Sequence, residues 1–80
     1  MKKEQFNEMQ WEPGMSVAYK FKNVDSPTGE SVRKTPVKGV EFPGENDDGG
    51  GIYGVDPKGR RIFVHHDSII EVRFNYRETL

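Results

Sequence analysis

Val and Ile supply twelve of the 80 residues and Phe, Tyr and Trp nine, against one alanine (Ala18) and one leucine (Leu80). β-Branched and aromatic side chains suit a pleated, half-buried surface. A helical protein draws freely on Ala and Leu. Nine glycines and five prolines punctuate the chain, as short strands joined by tight turns require. The sequence therefore predicts an all-β fold. Its length supports one small domain and no second core.

Charge and composition exclude several function classes. Twelve Lys and Arg oppose thirteen Asp and Glu, for a formal charge of -1. That balance argues against a strongly basic nucleic-acid binder, though not against a local basic patch. With no cysteine, the chain has no disulfide framework, no zinc–thiolate site and no thiol nucleophile. No apolar run approaches the about 18 residues of a membrane span, and the N-terminus lacks a basic-then-apolar signal segment. A compact cysteine-free chain of this size suits the cytoplasm of a bacterium or the proteins of a phage.

Residues 1–14 read as an N-terminal arm or short helix. Phe6 and Met9 fall on one helical face. No Ser, Thr, Asp or Asn precedes them as a cap, and short isolated helices are marginal. Such a helix must dock its Phe6/Met9 side on the domain, and Pro13-Gly14 ends it. The domain proper spans residues 15–80. Residues 15–22 alternate, with Val17, Tyr19 and Phe21 on one side and Ala18, Lys20 and Lys22 on the other. Residues 31–42 read as a strand interrupted at Pro36, which marks an edge or a bulge. Residues 43–51, PGENDDGGG, read as a flexible acidic Gly-rich loop.

The second half carries the clearest pattern. Pro57-Lys58-Gly59 is a three-residue turn. It pairs Val55 with Arg61, Tyr53 with Phe63 and Ile52 with Val64. Ile52, Ile62 and Val64 then share one face, and Tyr53, Val55, Arg61, Phe63 and His65 the other. Asp67-Ser68 forms a tight turn or one turn of 3₁₀ helix. The last strand alternates, placing Ile70, Val72, Phe74 and Tyr76 inward and Ile69, Glu71, Arg73 and Asn75 outward. Five short strands in this order, closing with IFVHHDSIIEVRF, resemble small SH3-like and Sm-like barrels. A five-stranded OB-like barrel fits the same pattern. The expected fold is thus a small five-stranded barrel preceded by a short helix or arm.

Candidate chemistry is sparse. His65-His66-Asp67 has metal-ligand residue types, but neighbours on a strand point to opposite faces. Both histidines reach one ion only if the strand has already broken, and the chain has no third His. The plainer reading has one His on the surface and one at the core edge, with Asp67 capping the turn; no metal and no cofactor is expected. Asn46-Asp47-Asp48 departs from a calcium loop, because Pro57 stands where the bidentate Glu belongs. The glycines that follow lack the Lys-Ser/Thr of a phosphate loop. No serine sits in a nucleophile motif, and the paired Asp47-Asp48 lies in the loop. The chain reads as non-catalytic.

What remains is a mixed aromatic and basic surface. Tyr53, Arg61, Phe63 and His65, together with Trp11, are the candidate contacts for a protein partner. Lys20, Lys22, Arg33, Lys34 and Lys38 are the candidate contacts for single-stranded RNA or DNA. The competing expectation is that Phe6, Met9 and Trp11 cover the Tyr53/Phe63 face. A binding module, acting as an adaptor, inhibitor or subunit, is the first reading and a nucleic-acid barrel the second. A homo-oligomer is compatible with either.

Overall fold

Pro36 divides the chain's second extended segment, and the architecture follows from that break. The computed structural model describes residues 1–74. In order, the elements are α1 (Lys3–Glu8), β1 (Met15–Lys22), β2 (Glu30–Pro36), β3 (Gly39–Glu41), β4 (Gly51–Val55), β5 (Arg61–His65), a 3₁₀ turn (His66–Ser68) and β6 (Ile69–Phe74). The strands form two antiparallel three-stranded sheets, ordered β2-β1-β6 and β3-β4-β5. Among the described residues no helix is long and apolar enough to cross a membrane.

The expected five-stranded SH3-like, Sm-like or OB-like barrel is not what forms. Among the described residues six strands are present, and neither small sheet closes into a barrel. Two local features account for this. The β1–β2 ladder stops at Ser16↔Pro36, because proline has no N–H to continue it. The chain then crosses between sheets: Val37 N–H donates to Met15 O (2.9 Å) and Lys38 N–H to Tyr53 O (2.7 Å). On the other side, the β1–β6 ladder shifts register between Ala18 and Tyr19 and ends at Tyr19↔Ile69. Among the described residues, positions 20–22 of β1 therefore lack a ladder partner on that side, and the far edge of β5 is likewise unpaired. At one corner a side chain links the sheets: Val55 N–H donates to Thr35 Oγ1 at 2.8 Å, and Thr35 is buried.

The register shift also corrects the expected facing of β6. Ala18 pairs with Glu71 and Tyr19 with Ile69, so Ile70 is left out of the ladder. A bulge of this kind reverses the alternation beyond it. Ile69 is 1% exposed and Ile70 50%, the opposite of the sequence expectation; Phe74 is also exposed. Val72 still packs on the core. Asn75 and Tyr76 lie outside the described residues.

The core joins both sheets and the arm: Phe6, Val17, Tyr19, Ile52, Val64 and Ile69 cluster, with Trp11, Phe21, Val40 and Val72 against them. The β4–β5 hairpin has the expected register, Ile52↔Val64, Tyr53↔Phe63 and Val55↔Arg61. Its turn needs Gly59, whose φ is +83°, a region that other residues rarely adopt. Asp56 ties the turn together. Its Oδ1 accepts from Lys58 N–H (2.9 Å) and Arg60 N–H (2.8 Å), and Arg60 Nε donates to Oδ2 at 2.9 Å.

The Arg60 backbone hydrogen bond, chiefly, with the Arg60 side chain and charge, holds the Asp56 carboxyl below the ordinary aspartate value. A carboxylate with a lowered folded pKa stabilises the fold above its unfolded value and loses that contribution as pH falls through the folded one. The Asp56 carboxyl resonance, followed by carbon NMR, is expected to titrate with a midpoint below 3.8. The Lys58 and Arg60 amides should lose their downfield shifts in the same window. A midpoint at or above the ordinary value would contradict the turn geometry.

Candidate functional site

The two incomplete edges face each other. Between residues 20–22 of β1 and the free edge of β5 lies an open cleft of about 480 Å³. Tyr19, Phe21 and Arg33 line one wall, and Ile62, Phe63 and His65 the other, with Lys20 and Asp56 at its rim. Residues 19 and 21 lie there because odd positions of β1 face inward. Arg33 pairs with Tyr19 across the ladder and so shares that face. Its guanidinium carbon sits 4.1 Å from the Phe21 ring centroid. A cation over an aromatic face is worth about 0.5–1 kcal/mol at an exposed site. The guanidinium is thus held at the mouth of an aromatic floor.

The outer face of the β4–β5 hairpin adjoins this cleft. Tyr53 and Phe63 stand opposite each other on the ladder, with ring centroids 5.1 Å apart. Phe63 is 45% exposed. Tyr53 Oη donates to Glu41 Oε1 at 2.6 Å. That hydrogen bond, some loss of hydration and the Glu41 charge push the phenol above its ordinary pKa, while the Arg61 charge pulls the other way. Tyr53 is therefore a neutral, fixed platform at physiological pH.

Four of the five partner-contact candidates, Tyr53, Arg61, Phe63 and His65, lie on β4 and β5 facing outward. Trp11 packs elsewhere. Its ring is 5.2 Å from Phe6, beside Val37, Lys38 and Val40. Its Nε1 is buried without a hydrogen-bond partner among the described residues. The N-terminal segment does not cover the Tyr53/Phe63 face. Phe6 packs inward instead, on Trp11, Phe42 and His66.

The five basic candidates divide into three places. Lys20, Lys22 and Lys34 lie on the outer face of the β1–β2 ladder, where Glu30 pairs with Lys22. Arg33 lies on the inner face over Phe21. Lys38 lies beside Trp11. The inner-wall residues Tyr19, Phe21 and Ile62 were legible only as core, because sequence periodicity does not show which inward positions the opposing sheet leaves uncovered. His65 and His66 also converge, with ring centroids 4.2 Å apart.

Protein-family models, curated proteins and solved structures were compared with the chain, and none matches.

Proposed function

We propose that the chain is a non-catalytic interaction module that takes an extended segment of a protein partner in the β1–β5 cleft. The observation that carries this is the pair of unpaired strand edges facing each other across an aromatic floor. A free edge offers main-chain donors and acceptors to an added strand, and alternate side chains of that strand reach pockets on either side. Tyr19, Phe21 and Ile62 supply the apolar contacts. Lys20 and Arg33 suit an acidic residue of the partner. Asp56 and Tyr53, whose pKa values are displaced, are engaged in turn and pair contacts, which favours binding over catalysis. The cysteine-free composition favours a cytoplasmic setting.

Single-stranded RNA or DNA is the second reading. The Arg33 guanidinium over Phe21 and the exposed Phe63 ring favour it, since aromatic platforms flanked by cations stack bases.

One experiment separates the two. Backbone amide NMR would follow titration with a pool of extended peptides of alternating apolar and acidic residues, and separately with a mixed oligonucleotide pool. The expected result is peptide-induced shifts at Tyr19, Lys20, Ile62 and Phe63 that persist at high salt. Phe63→Ala should weaken them roughly tenfold while leaving the unfolding temperature nearly unchanged, as suits a half-exposed side chain. Oligonucleotide shifts that vanish at high salt would establish the second reading instead. Shifts with neither probe would remove the cleft as a site.

A further inference from the structure

The strand breaks between the two histidines. β5 ends at His65 and the 3₁₀ turn begins at His66, so the rule that neighbours face opposite ways does not apply across them. Both Nε2 atoms meet one acceptor, the carbonyl oxygen of Asp48, at 2.6 Å from His65 and 3.0 Å from His66. A carbonyl oxygen has two lone pairs and accepts both. His65 Nδ1 is the acceptor of Asp67 N–H, so its Nε2 carries the proton, whereas His66 meets a carbonyl oxygen at each nitrogen and, as a neutral ring, has one N–H for the two.

His66, 3% exposed, has Nδ1 at 2.9 Å from the Met1 carbonyl oxygen and 3.3 Å from Asp67 Oδ1. His65 Nδ1 is 3.7 Å from Asp67 Oδ2 and accepts from Asp67 N–H at 3.1 Å. Whichever nitrogen of a neutral His66 lacks the proton turns a buried lone pair toward a carbonyl oxygen, which leaves the arrangement short of one positive charge. The ligand atoms of the three residues lie within 4.8 Å of one another. With metal–ligand bonds of about 2.0–2.1 Å, the ligands of a tetrahedral ion stand about 3.3–3.4 Å apart. The His66 Nδ1–Oδ1 separation of 3.3 Å matches that edge, and the His65 Nδ1 approach of 3.7 Å, to the other carboxylate oxygen, is longer.

We propose that His65 Nδ1, His66 Nδ1 and the Asp67 carboxylate bind a divalent transition-metal ion of the imidazole-preferring class, represented by Zn²⁺. The Met1 carbonyl oxygen stands beside the set as a further oxygen ligand. Asp48 acts through the histidines: its carbonyl takes the second ring N–H of each. Such outer contacts orient ligating imidazoles and raise their basicity. Binding displaces the hydrogen bond of Asp67 N–H to His65 Nδ1 and the contact of His66 Nδ1 with Met1 O. The site stands apart from the cleft reading, sharing only the His65 ring with it.

The test is calorimetric titration of metal-stripped protein with Zn²⁺, with Mg²⁺ as the control, and nitrogen NMR of the imidazole rings. The expected result is one Zn²⁺ per chain and no Mg²⁺ uptake. Both Nδ1 resonances should move to metal-bound positions while both Nε2 atoms keep their protons. Asp67→Asn, on a largely exposed side chain, should fold normally and lose roughly tenfold or more in Zn²⁺ affinity. His66→Gln is the harsher variant, and Asp67→Asn keeps the test decisive if it does not fold. No uptake at millimolar Zn²⁺, with His66 found doubly protonated, would overturn the proposal, because a proton would then supply the missing charge. Uptake undiminished in Asp67→Asn, or mapping to the Asp47/Asp48 carboxylates, would overturn it equally.

Discussion

Gly51→Ala is expected to abolish most of the stability of this chain. A Cβ placed on residue 51 falls on the carbonyl oxygen of Val64. It also lies 2.8 Å from the Val64 carbonyl carbon and 2.9 Å from His65 Cα. All three atoms are backbone of the strand next to it, so no side-chain rotation relieves the contact. β4 must move away from β5, which breaks the Gly51↔His65 and Glu41↔Gly51 pairings. Overpacking a well-filled interior costs about 1–3 kcal/mol and sometimes more. Against an immovable backbone the upper end applies. A core of this size supplies only about 3–5 kcal/mol of net stability, so most of it goes. Urea unfolding followed by Trp11 fluorescence measures the loss. Gly49→Ala is the control, since its Cβ meets only the exposed Asp47 carboxylate, with Oδ1 at 3.2 Å. It should leave the midpoint nearly unchanged. Equal midpoints for the two variants would show that β4 and β5 are not packed as described.

The same glycine shows what the sequence made legible and what it did not. In the run PGENDDGGG, glycine reads as flexibility, whereas residue 51 is glycine because another backbone passes too close for a side chain. That requirement comes from a strand more than ten residues away and leaves no local trace. The β4–β5 hairpin was legible because Pro57-Lys58-Gly59 sets its own register. The outer face holding Tyr53, Arg61, Phe63 and His65 followed from alternation alone. Closure was not legible, because it depends on which strand edges meet. Pro36 announces its own break, but the bulge at Ile70 removes a pairing that a period-two pattern takes for granted. The cleft opens where the β1–β6 ladder ends at Tyr19↔Ile69, so the feature that most suggests binding was hidden for the same reason that the barrel was expected. The histidine pair was hidden similarly, since opposite facing holds only while the strand continues.

Phe6→Ala is expected to cost about 3–5 kcal/mol, the range for truncating a buried aromatic side chain, and to release the whole arm. Phe6 is 0% exposed and is the buried residue of α1. Its ring lies 5.2 Å from Trp11, 5.6 Å from Phe42 and 5.8 Å from His66. It therefore joins the arm, the end of the β3 segment and the 3₁₀ turn. A six-residue helix has too few hydrogen bonds to persist unaided. Gln5, accepting from Lys2 N–H at 3.3 Å, adds little at its exposed start. The helix holds its shape because Phe6 is anchored, and the anchor is filled because the helix holds it there. Removing the ring should thus do more than open a cavity. Amide hydrogen exchange across residues 3–8 should rise toward the unstructured rate, together with a large fall in unfolding temperature. Phe6→Leu keeps an apolar anchor and should cost under about 1.5 kcal/mol, the usual ceiling for swaps that roughly conserve volume, with exchange still slowed. A Phe6→Ala protein that melts normally with its helix amides protected would show that backbone contacts alone fix the arm. A protein that melts early with the helix protected would place the loss in the sheets, with the arm bound independently of its one buried ring.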